Sequence, residues 1–491
     1  MKVNNTKLNT LFNRIFRDKV VFYILSLFLF FSVSYYLSLL NKLSLWGDEL
    51  WTLSRMSIEY SNLIKPGFLN DASYPLPIAF YKLSAYIIGS GNVGIIVLSN
   101  LVNFVFIFLG FWSVRKHFSV EKITLLLSLI VSTEYFMRMF LELRHYGMIL
   151  GLCTLVSCLF VRFNLEKENS IFLLCVFIGL ILSLVHPYTG LFVCSIFTTM
   201  FFLTNSIYQK GTLITGIFFS VLFFLFYASR STEGLFIELT FNHVRNTFAF
   251  MIPALFLFTI VFYLELKKNF KRLRKQLVMI MPVLTSLGVI FAYSFLIHPI
   301  YQARYFTVFL PLTCLVLVYI CAKDFDKVKY PILLSCILTV IFLYGPRSQV
   351  PYTNYQSLVE ESHIENCDGA PIFFNNSRTL KRRNFYEETF NMASHYYSEN
   401  YKRELKSYEE VLNSIEVLKK NYPGCNIYGV TGQGEQEVFA ININKDLNKR
   451  NLNNGLIVKE IRANNCIKPG CGILFSFSQK KKKALQKNLS Q

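Results

Sequence analysis

The chain has 491 residues, with 50 Lys and Arg against 30 Asp and Glu, which gives a formal net charge of +20. Hydrophobic residues make up 53% of the sequence and charged residues only 16%, well below the roughly 25% of soluble domains. This composition excludes a disordered chain and a soluble multidomain enzyme. The basic residues lie mainly in short segments between long apolar runs, as in membrane proteins, so we expect no nucleic-acid partner.

Long apolar runs predict eleven transmembrane helices, because a spanning helix needs roughly 20 apolar residues. The predicted spans are 20–40, 94–114, 121–140, 146–163, 170–185, 188–205, 211–229, 247–266, 277–297, 305–322 and 330–345. A further apolar stretch, 75–90, is shorter, carries Lys82 and has two prolines at its start. Its relation to the membrane is decided by the charges around it.

Clusters of basic residues predict which loops face the cytoplasm. The strongest cluster lies at 267–275, and a second follows two spans later at 323–329. Counting back assigns the same side to these residues: Arg14, Arg17, Lys19, Arg115, Lys116, Lys122, Arg162, Lys167 and Lys210. All agree only if 75–90 does not cross the bilayer, so we expect an in-plane or re-entrant helix in the first outer loop. The N-terminus is then cytoplasmic.

The C-terminal part of the chain is polar and is expected to form a separate extracytoplasmic domain, 346–491, after a membrane domain, 1–345. Short apolar runs predict strands at 371–374, 425–430, 438–443 and 472–477, and helical spacing predicts a helix at 408–421. These elements predict a small α+β fold. Its four cysteines (Cys367, Cys425, Cys466 and Cys471) allow two disulfides in three pairings.

Two adjacent carboxylates, Asp48 and Glu49, begin the first outer loop between Trp46 and Trp51. In one interpretation the tryptophans anchor the chain at the lipid headgroups and both acids face water. In the other, one acid is a general base that deprotonates an acceptor hydroxyl, a role suited to a carboxylate whose pKa is raised by partial burial. The sequence leaves both interpretations open.

Two arginines fall on the predicted outer side, against the usual bias of basic residues toward the cytoplasm. Arg144 lies between Glu142 and Tyr146, and Arg304 directly precedes Tyr305. Arg144 and Glu142 can form a structural ion pair, or a guanidinium can bind a lipid phosphate through paired donors. A tyrosine near each arginine favours the phosphate.

Three further residues are candidates for lining an outer cavity. Asp71 and Ser73 precede the 75–90 stretch, where either can cap a helix. His186 lies before Pro187 in a tight outer turn, where it suits a metal ligand, an acceptor contact or a helix-end residue. Glu49, Asp71 and His186 are the candidates for a divalent metal site, which sequence alone cannot assemble.

Taken in order, five elements resemble motifs of GT-C-fold glycosyltransferases, a group that includes protein O-mannosyltransferases, aminoarabinose transferases and related bacterial enzymes. The elements are Trp46-Gly-Asp48-Glu49, Ser73-Tyr74-Pro75-Leu76 with Tyr81-Lys82-Leu83 at the end of the following run, Glu142-Leu-Arg144-His145-Tyr146, His186-Pro187-Tyr188, and Arg304-Tyr305 followed by Pro311. The resemblance covers about residues 20–345. Ser73 and Tyr74 replace the usual His and first Pro, so a contact made by that histidine is not expected here.

The resemblance implies an α-helical polytopic membrane protein that transfers a sugar, with inversion, from a polyprenyl-phosphate donor to a glycan, lipid or protein on the outer side of a bacterial inner membrane. It implies that Asp48 is the base and Glu49 a supporting acid or metal contact. Donor phosphate binding is assigned to Arg144, Tyr146, Arg304 and Tyr305, and the cavity to Asp71, Ser73 and His186.

A membrane transporter or lipid flippase is the alternative function, because it also combines many spans with a polar outer cavity. Against it, the acids and arginines cluster at one membrane face, whereas a transport site usually lies near the midplane.

Overall fold

The computed structural model describes the chain at 47–56, 75–89, 92–131, 143–228, 270–296 and 303–321, at the strand segments given below, and at a few isolated positions. The chain divides into two compact units. Met1–Asn41 and Arg55–Gly345 form the membrane unit, and Lys42–Ser54 and Pro346–Gln491 form the C-terminal unit. The segment that contains Asp48 and Glu49 therefore groups with the C-terminal unit, although the sequence placed it in the membrane domain.

Helices occupy most of the described part of residues 1–345. They are α1 (Gly47–Met56), α2 (Pro75–Ile88), α3 (Asn92–Val114), α4 (Val120–Val131), α5 (Tyr146–Glu166), α6 (Asn169–Ser183), α7 (Pro187–Leu203), α8 (Ile207–Ala228), α9 (Phe270–Leu296), a 3-10 helix (Ala303–Phe309) and α10 (Leu310–Cys321). From α3 onward, each lies at a predicted span. The predicted spans 247–266 and 330–345, and most of 20–40, lie outside the described residues.

Two helix starts differ from the sequence prediction. α9 begins at Phe270, so Lys271, Arg272, Arg274 and Lys275 belong to a helix and not to a loop. Lys and Arg are good helix formers, so a helix can continue past its apolar stretch. The span predicted from residue 305 begins as a 3-10 helix and becomes α-helical only at Leu310. Pro311 has no N–H for the carbonyl four residues earlier, which interrupts an α-helical ladder at this point.

The described helices have the surface expected in lipid. Four of them are long and apolar enough to cross a membrane: Gly94–Val114, Tyr146–Glu166, Ile207–Phe226 and Val278–Leu296. α5 is central: 83% of its most apolar stretch is buried inside the protein. For α8 the buried share of the corresponding stretch is only 22%. α3 and α8 expose large apolar side chains such as Leu101, Phe108, Trp112, Phe218 and Leu222. Such surfaces are unfavourable in water, so this chain is an integral membrane protein.

Glycines bring α3 and α5 into close contact. A Cβ atom added at Gly151 would lie 3.0 Å from the carbonyl oxygen of Asn103, and one at Gly110 would lie 3.2 Å from Cα of Leu155. Small residues allow this approach of two backbones inside a membrane, where packing drives helix association. Both contacts advance along both helices in the same order, so α3 and α5 run in the same direction.

Polar contacts join one end of these helices. Nε2 of His117 lies 2.7 Å from Oε1 of Glu166, and Nε of Arg162 donates to Oε2 of Glu166 at 2.7 Å. At the same end, Nε2 of Gln209 donates to Oδ1 of Asn169 at 2.7 Å and links the starts of α8 and α6. Six of the basic residues that the sequence assigns to the cytoplasm lie at this end: Arg115, Lys116, Lys122, Arg162, Lys167 and Lys210.

The C-terminal unit contains a mixed five-stranded sheet in the order β2-β1-β3-β5-β4. The strands are β1 (Ile372–Phe374), β2 (Leu405–Ser407), β3 (Ile427–Val430), β4 (Leu456–Ile461) and β5 (Leu474–Gln479). β1 is parallel to β2 and β3, and β5 is antiparallel to β3 and β4. β1, β3 and β5 overlap predicted strands, whereas the sequence did not predict β2 and β4. The predicted strand 438–443, most of the helix 408–421 and the four cysteines lie outside the described part.

Replacing Gly151 with alanine should destabilise the protein, because the new methyl group meets the backbone of Asn103 on α3. We expect a loss of roughly 1–3 kcal/mol, the usual cost of overpacking a core. The matched control is Gly288→Ala on α9, where an added Cβ has no neighbour within 4 Å. The measurement is the midpoint of thermal unfolding in detergent. Equal midpoints for the two variants would contradict the close contact between α3 and α5.

Candidate active site at the converging helix starts

Arg144 lies two residues before α5, in a part of the chain whose neighbours are buried. Leu143 and His145 on either side are both buried, while Arg144 itself is half-buried. The backbone N–H of Ile149 donates to the carbonyl of His145 at 3.0 Å, so the helical ladder begins directly after the arginine. The main chain that carries the guanidinium is thus held by a packed helix start.

Measured along the axes of α3 and α5, Arg144 lies alongside α3 and does not extend beyond its first residue. Gly151, which contacts Asn103, is five residues into α5, whereas Asn103 is eleven residues into α3. At 1.5 Å per residue, the first residue of α3 lies roughly 9 Å beyond the first residue of α5. The apolar span of α3 starts at Gly94, so Arg144 lies within the depth range of that span.

His186 ends the short turn between α6 and α7 and caps α7. Its Nδ1 accepts a hydrogen bond from the backbone N–H of Tyr188 at 3.2 Å. The hydroxyl of Thr189 accepts from the N–H of His186 at 3.1 Å and lies 2.6 Å from the carbonyl oxygens of both Leu182 and His186. Of the three roles that the sequence left open for His186, the structure shows the helix-end role, and the other two stay predictions.

The hydrogen bond to Nδ1 also fixes the tautomer of His186. A ring nitrogen that accepts a hydrogen bond carries no hydrogen, so the neutral imidazole has its hydrogen on Nε2. His186 is buried, with 1% of its surface exposed. The ring is therefore a fixed donor inside the membrane unit.

Five rings from three separate segments pack together and form what we call the ring cluster: His145, Tyr146, His186, Tyr188 and Tyr305. The ring centroids of His186 and Tyr305 are 4.2 Å apart, and those of His145 and His186 are 5.0 Å apart with nearly parallel planes. Tyr188 meets Tyr305 edge-on at 5.2 Å, and Tyr146 lies 6.1 Å from Tyr305. The ring cluster thus joins the starts of α5, α7 and the 3-10 helix.

The starts of α5 and α7 can each contribute positive charge to the site. The backbone N–H groups of a helix's first turn have no partner within the helix, and the helix dipole adds a partial positive charge there. Two α-helices and a 3-10 helix begin at the ring cluster, and Arg144 precedes one of them directly. Such an arrangement favours an anion, and phosphate is the anion that helix starts and arginines commonly bind.

Burial separates the two predicted tyrosines of the site. Tyr305 is half-buried, whereas Tyr146 is buried and packs against His145 and Tyr305. The prediction that Tyr146 contacts the donor phosphate stays a prediction. Tyr305 is the member of the ring cluster that keeps an accessible surface.

Helix α2 reaches the site through Tyr81. The hydroxyl of Tyr81 donates a hydrogen bond to the carbonyl oxygen of Arg144. On the same face of α2, Ile78 packs against Met56 and Ala79. The opposite face exposes Leu83, Tyr86 and Ile87, and Ile88 is exposed at the end of the helix, which suits a helix in contact with lipid. The middle of α2 thus lies at the ring-cluster end of the bundle, and the prediction that α2 is an in-plane or re-entrant helix stays a prediction.

The other predicted site residues are placed less completely. Asp48 and Arg304 lie in α1 and the 3-10 helix, but their side chains are outside the described part. Asp71 and Ser73 are outside it altogether. Glu49 is buried, with 4% of its surface exposed. The interpretation in which both acids face water is therefore wrong for Glu49.

The described residues contain no group of three or more His, Cys, Asp or Glu side chains that can hold a metal ion. Asp71, one of the three predicted metal ligands, is not among them. A metal site built from Glu49, Asp71 and His186 stays a prediction.

Sequence reasoning did not select His145, Tyr188, Thr189 or Tyr81 as site residues. Thr189 had a usable signal, since it stands three residues after the helix-capping His186 and completes a capping box. The contacts of His145, Tyr188 and Tyr81 join segments far apart in the chain, which no local pattern reveals.

No family model matches the sequence, and no curated protein matches it. The fold is similar to two crystal structures of ArnT from Cupriavidus metallidurans, one in the apo state and one bound to undecaprenyl phosphate. Both have a TM-score of 0.47 and 9% sequence identity. The matches cover 93% and 92% of this chain and 97% of each ArnT chain. At this identity no residue-by-residue correspondence follows.

Replacing Thr189 with valine should loosen the turn that holds His186. The variant keeps the side-chain shape but leaves buried polar groups of Leu182 and His186 without their hydroxyl partner, at a cost of roughly 1–3 kcal/mol. Thr198→Val is the control on α7, because the exposed Thr198 bonds to Cys194 one turn earlier in the same helix and holds no turn. We expect a lower midpoint of thermal unfolding for Thr189→Val alone. A similar small change in both variants would show that Thr189 does not hold the turn.

Proposed function

We propose that this chain is an inverting glycosyltransferase that moves a sugar from a polyprenyl-phosphate donor to a glycan, lipid or protein acceptor on the outer side of a bacterial inner membrane. In this proposal the chain crosses the membrane eleven times, with a cytoplasmic N-terminus and residues 346–491 outside. The observation that carries it is the ring cluster, which joins three of the five segments that resemble GT-C motifs. A phosphate-binding site needs those segments together.

The position of the site supports a lipid-linked donor. A polyprenyl phosphate cannot leave the bilayer, so an enzyme has to meet its head group where the membrane ends. Arg144 lies within the depth range of the apolar span of α3, at converging helix starts. Positive groups placed there stabilise the negative charge that develops on the phosphate as it leaves.

The reaction needs one base and one stabilised leaving group. The acceptor oxygen attacks the anomeric carbon of the sugar while its proton passes to Asp48, the proposed base. The bond between the anomeric carbon and the phosphate oxygen breaks, and the polyprenyl phosphate leaves with the electron pair. A single displacement of this kind inverts the anomeric configuration. Arg144, Tyr146, Arg304 and Tyr305 are proposed to hold the phosphate, with Glu49 as a supporting acid.

A transporter or lipid flippase is the rival function. Transport sites usually lie near the membrane midplane, at interrupted helices. Here the polar residues of the candidate site gather at one end of the described helices, and His117 and Arg162 lie beside Glu166 at the opposite end. This separation favours chemistry at one face over passage between two faces.

The proposed activity can be tested by supplying membranes or purified protein with a polyprenyl-phosphate sugar and measuring sugar transfer. We expect the wild-type protein to release polyprenyl phosphate and Asp48→Asn to abolish transfer, because the amide cannot accept the acceptor's proton. Expression and thermal stability of Asp48→Asn should stay at the wild-type level. Near-normal turnover of this variant would remove Asp48 as the base. Absence of transfer by the wild type from every donor offered, with lipid movement instead, would support the flippase.

Arg304→Ala should weaken use of the donor. Removing one charged hydrogen-bond partner of a phosphate costs roughly 1.5–3 kcal/mol, so the KM for the lipid-linked sugar should rise about tenfold or more. Arg115→Ala is the control, because Arg115 is an exposed arginine at the opposite end, stacked on Trp112. Steady-state kinetics at varied donor concentration give the answer. An unchanged donor KM in Arg304→Ala would exclude Arg304 from the phosphate site.

A further inference from the structure

The hydrogen bond between Tyr81 and Arg144 joins α2 to the candidate site, and the proposed reaction gives it no role. Tyr81 is nearly the most enclosed side chain of α2, with 3% of its surface exposed. Its hydroxyl donates to the carbonyl oxygen of Arg144, 63 residues away in sequence. No local pattern requires this bond, and it is a direct link between α2 and the segment that carries the candidate phosphate ligand.

The bond acts on the main chain from which the guanidinium projects. The carbonyl of His145 is held by the N–H of Ile149 at 3.0 Å, and Leu143 is fully buried. Tyr81 adds a hydrogen bond to the main chain of Arg144 itself. Because these supports are separate, removing the Tyr81 hydroxyl should loosen Arg144 without unfolding the start of α5.

Tyr81 lies on the buried face of α2. The face that carries Tyr81 also carries Pro77, Ile78 and Ser84, all buried, whereas Tyr86 on the other face is 88% exposed. One face of α2 is therefore packed against the bundle and the other is exposed. The bond from Tyr81 makes the position of the Arg144 main chain depend on the position of α2.

We propose that Tyr81 is a positioning residue, which holds Arg144 in place for the phosphate of a lipid-linked substrate. The inference rests on the proposed function, because it takes Arg144 as a phosphate ligand. Tyr81 does not touch the reacting atoms. Its effect is on the affinity for the lipid phosphate, and it acts only through Arg144.

The experiment measures binding of undecaprenyl phosphate to the full-length protein in lipid nanodiscs, which needs no turnover. Four proteins are compared: wild type, Tyr81→Phe, Arg144→Ala and the double variant. We expect Tyr81→Phe to weaken binding about fivefold, the size of one neutral hydrogen bond, and Arg144→Ala to weaken it further. The double variant should bind as Arg144→Ala does, because no guanidinium is left to position.

Tyr86→Phe is the matched control, since it removes a phenolic hydroxyl from the exposed face of the same helix. It should bind as the wild type does. In the transfer assay, Tyr81→Phe should lower kcat/KM for the donor about fivefold or more, because Arg144 contacts the phosphate both in the bound donor and as it leaves. Tyr86→Phe should keep the wild-type kcat/KM, and an equal loss in both variants would indicate general destabilisation instead.

The outcomes separate the two hypotheses. Wild-type binding together with unchanged binding of Tyr81→Phe overturns the positioning role and leaves the proposed function in place. The positioning role is also overturned if the fold-loss of affinity in the double variant equals the product of the two single fold-losses. Such a product shows that Tyr81 acts independently of Arg144. No saturable binding by the wild type, together with no sugar transfer, overturns the proposed function and the positioning role with it.

Discussion

The contact on which the candidate site depends is the packing of His186 against Tyr305 and His145. These rings join distant segments of the chain, and His186 and Tyr305 are more than a hundred residues apart in sequence. The turn between Ser183 and Pro187 is so short that α6 and α7 leave little freedom for His186. Thr189 restrains His186 further, because its hydroxyl hydrogen-bonds to both sides of that turn. A ring held in this way can act as a fixed surface against which two other helix starts are placed.

A fixed surface matters because the ligand proposed for this site carries its own charge into a medium that solvates charge poorly. A mobile arginine in such a place can relax toward water, and a positioned one cannot do so without breaking contacts. The buried neighbours of Arg144, the Tyr81 bond and the ring cluster all restrain the same short stretch of chain. The helix starts add positive charge that needs no side chain and so has no freedom to relax.

The positions of the helices could be predicted from hydropathy, because lipid exposure requires long apolar runs. Helix ends were less predictable: α9 continues into its basic segment, and Pro311 divides the last described span into two kinds of helix. For the candidate site, the sequence selected Arg144, His186 and Tyr305 but could not show that their segments meet. That meeting depends on ring contacts between distant segments, and on glycines such as Gly151, whose role is visible only beside Asn103.

Tyr146 and Tyr305 differ in burial, although the sequence predicts the same role for both. Both tyrosines lie next to or near an arginine, so the sequence treats them alike. In the structure Tyr146 is buried among His145 and Tyr305, and Tyr305 retains an accessible surface. Buried rings that pack against one another restrain each other's positions. Among the described residues, His145, Tyr146, His186 and Tyr188 are such a packed set, and Tyr305 and the half-buried Arg144 lie at its accessible side.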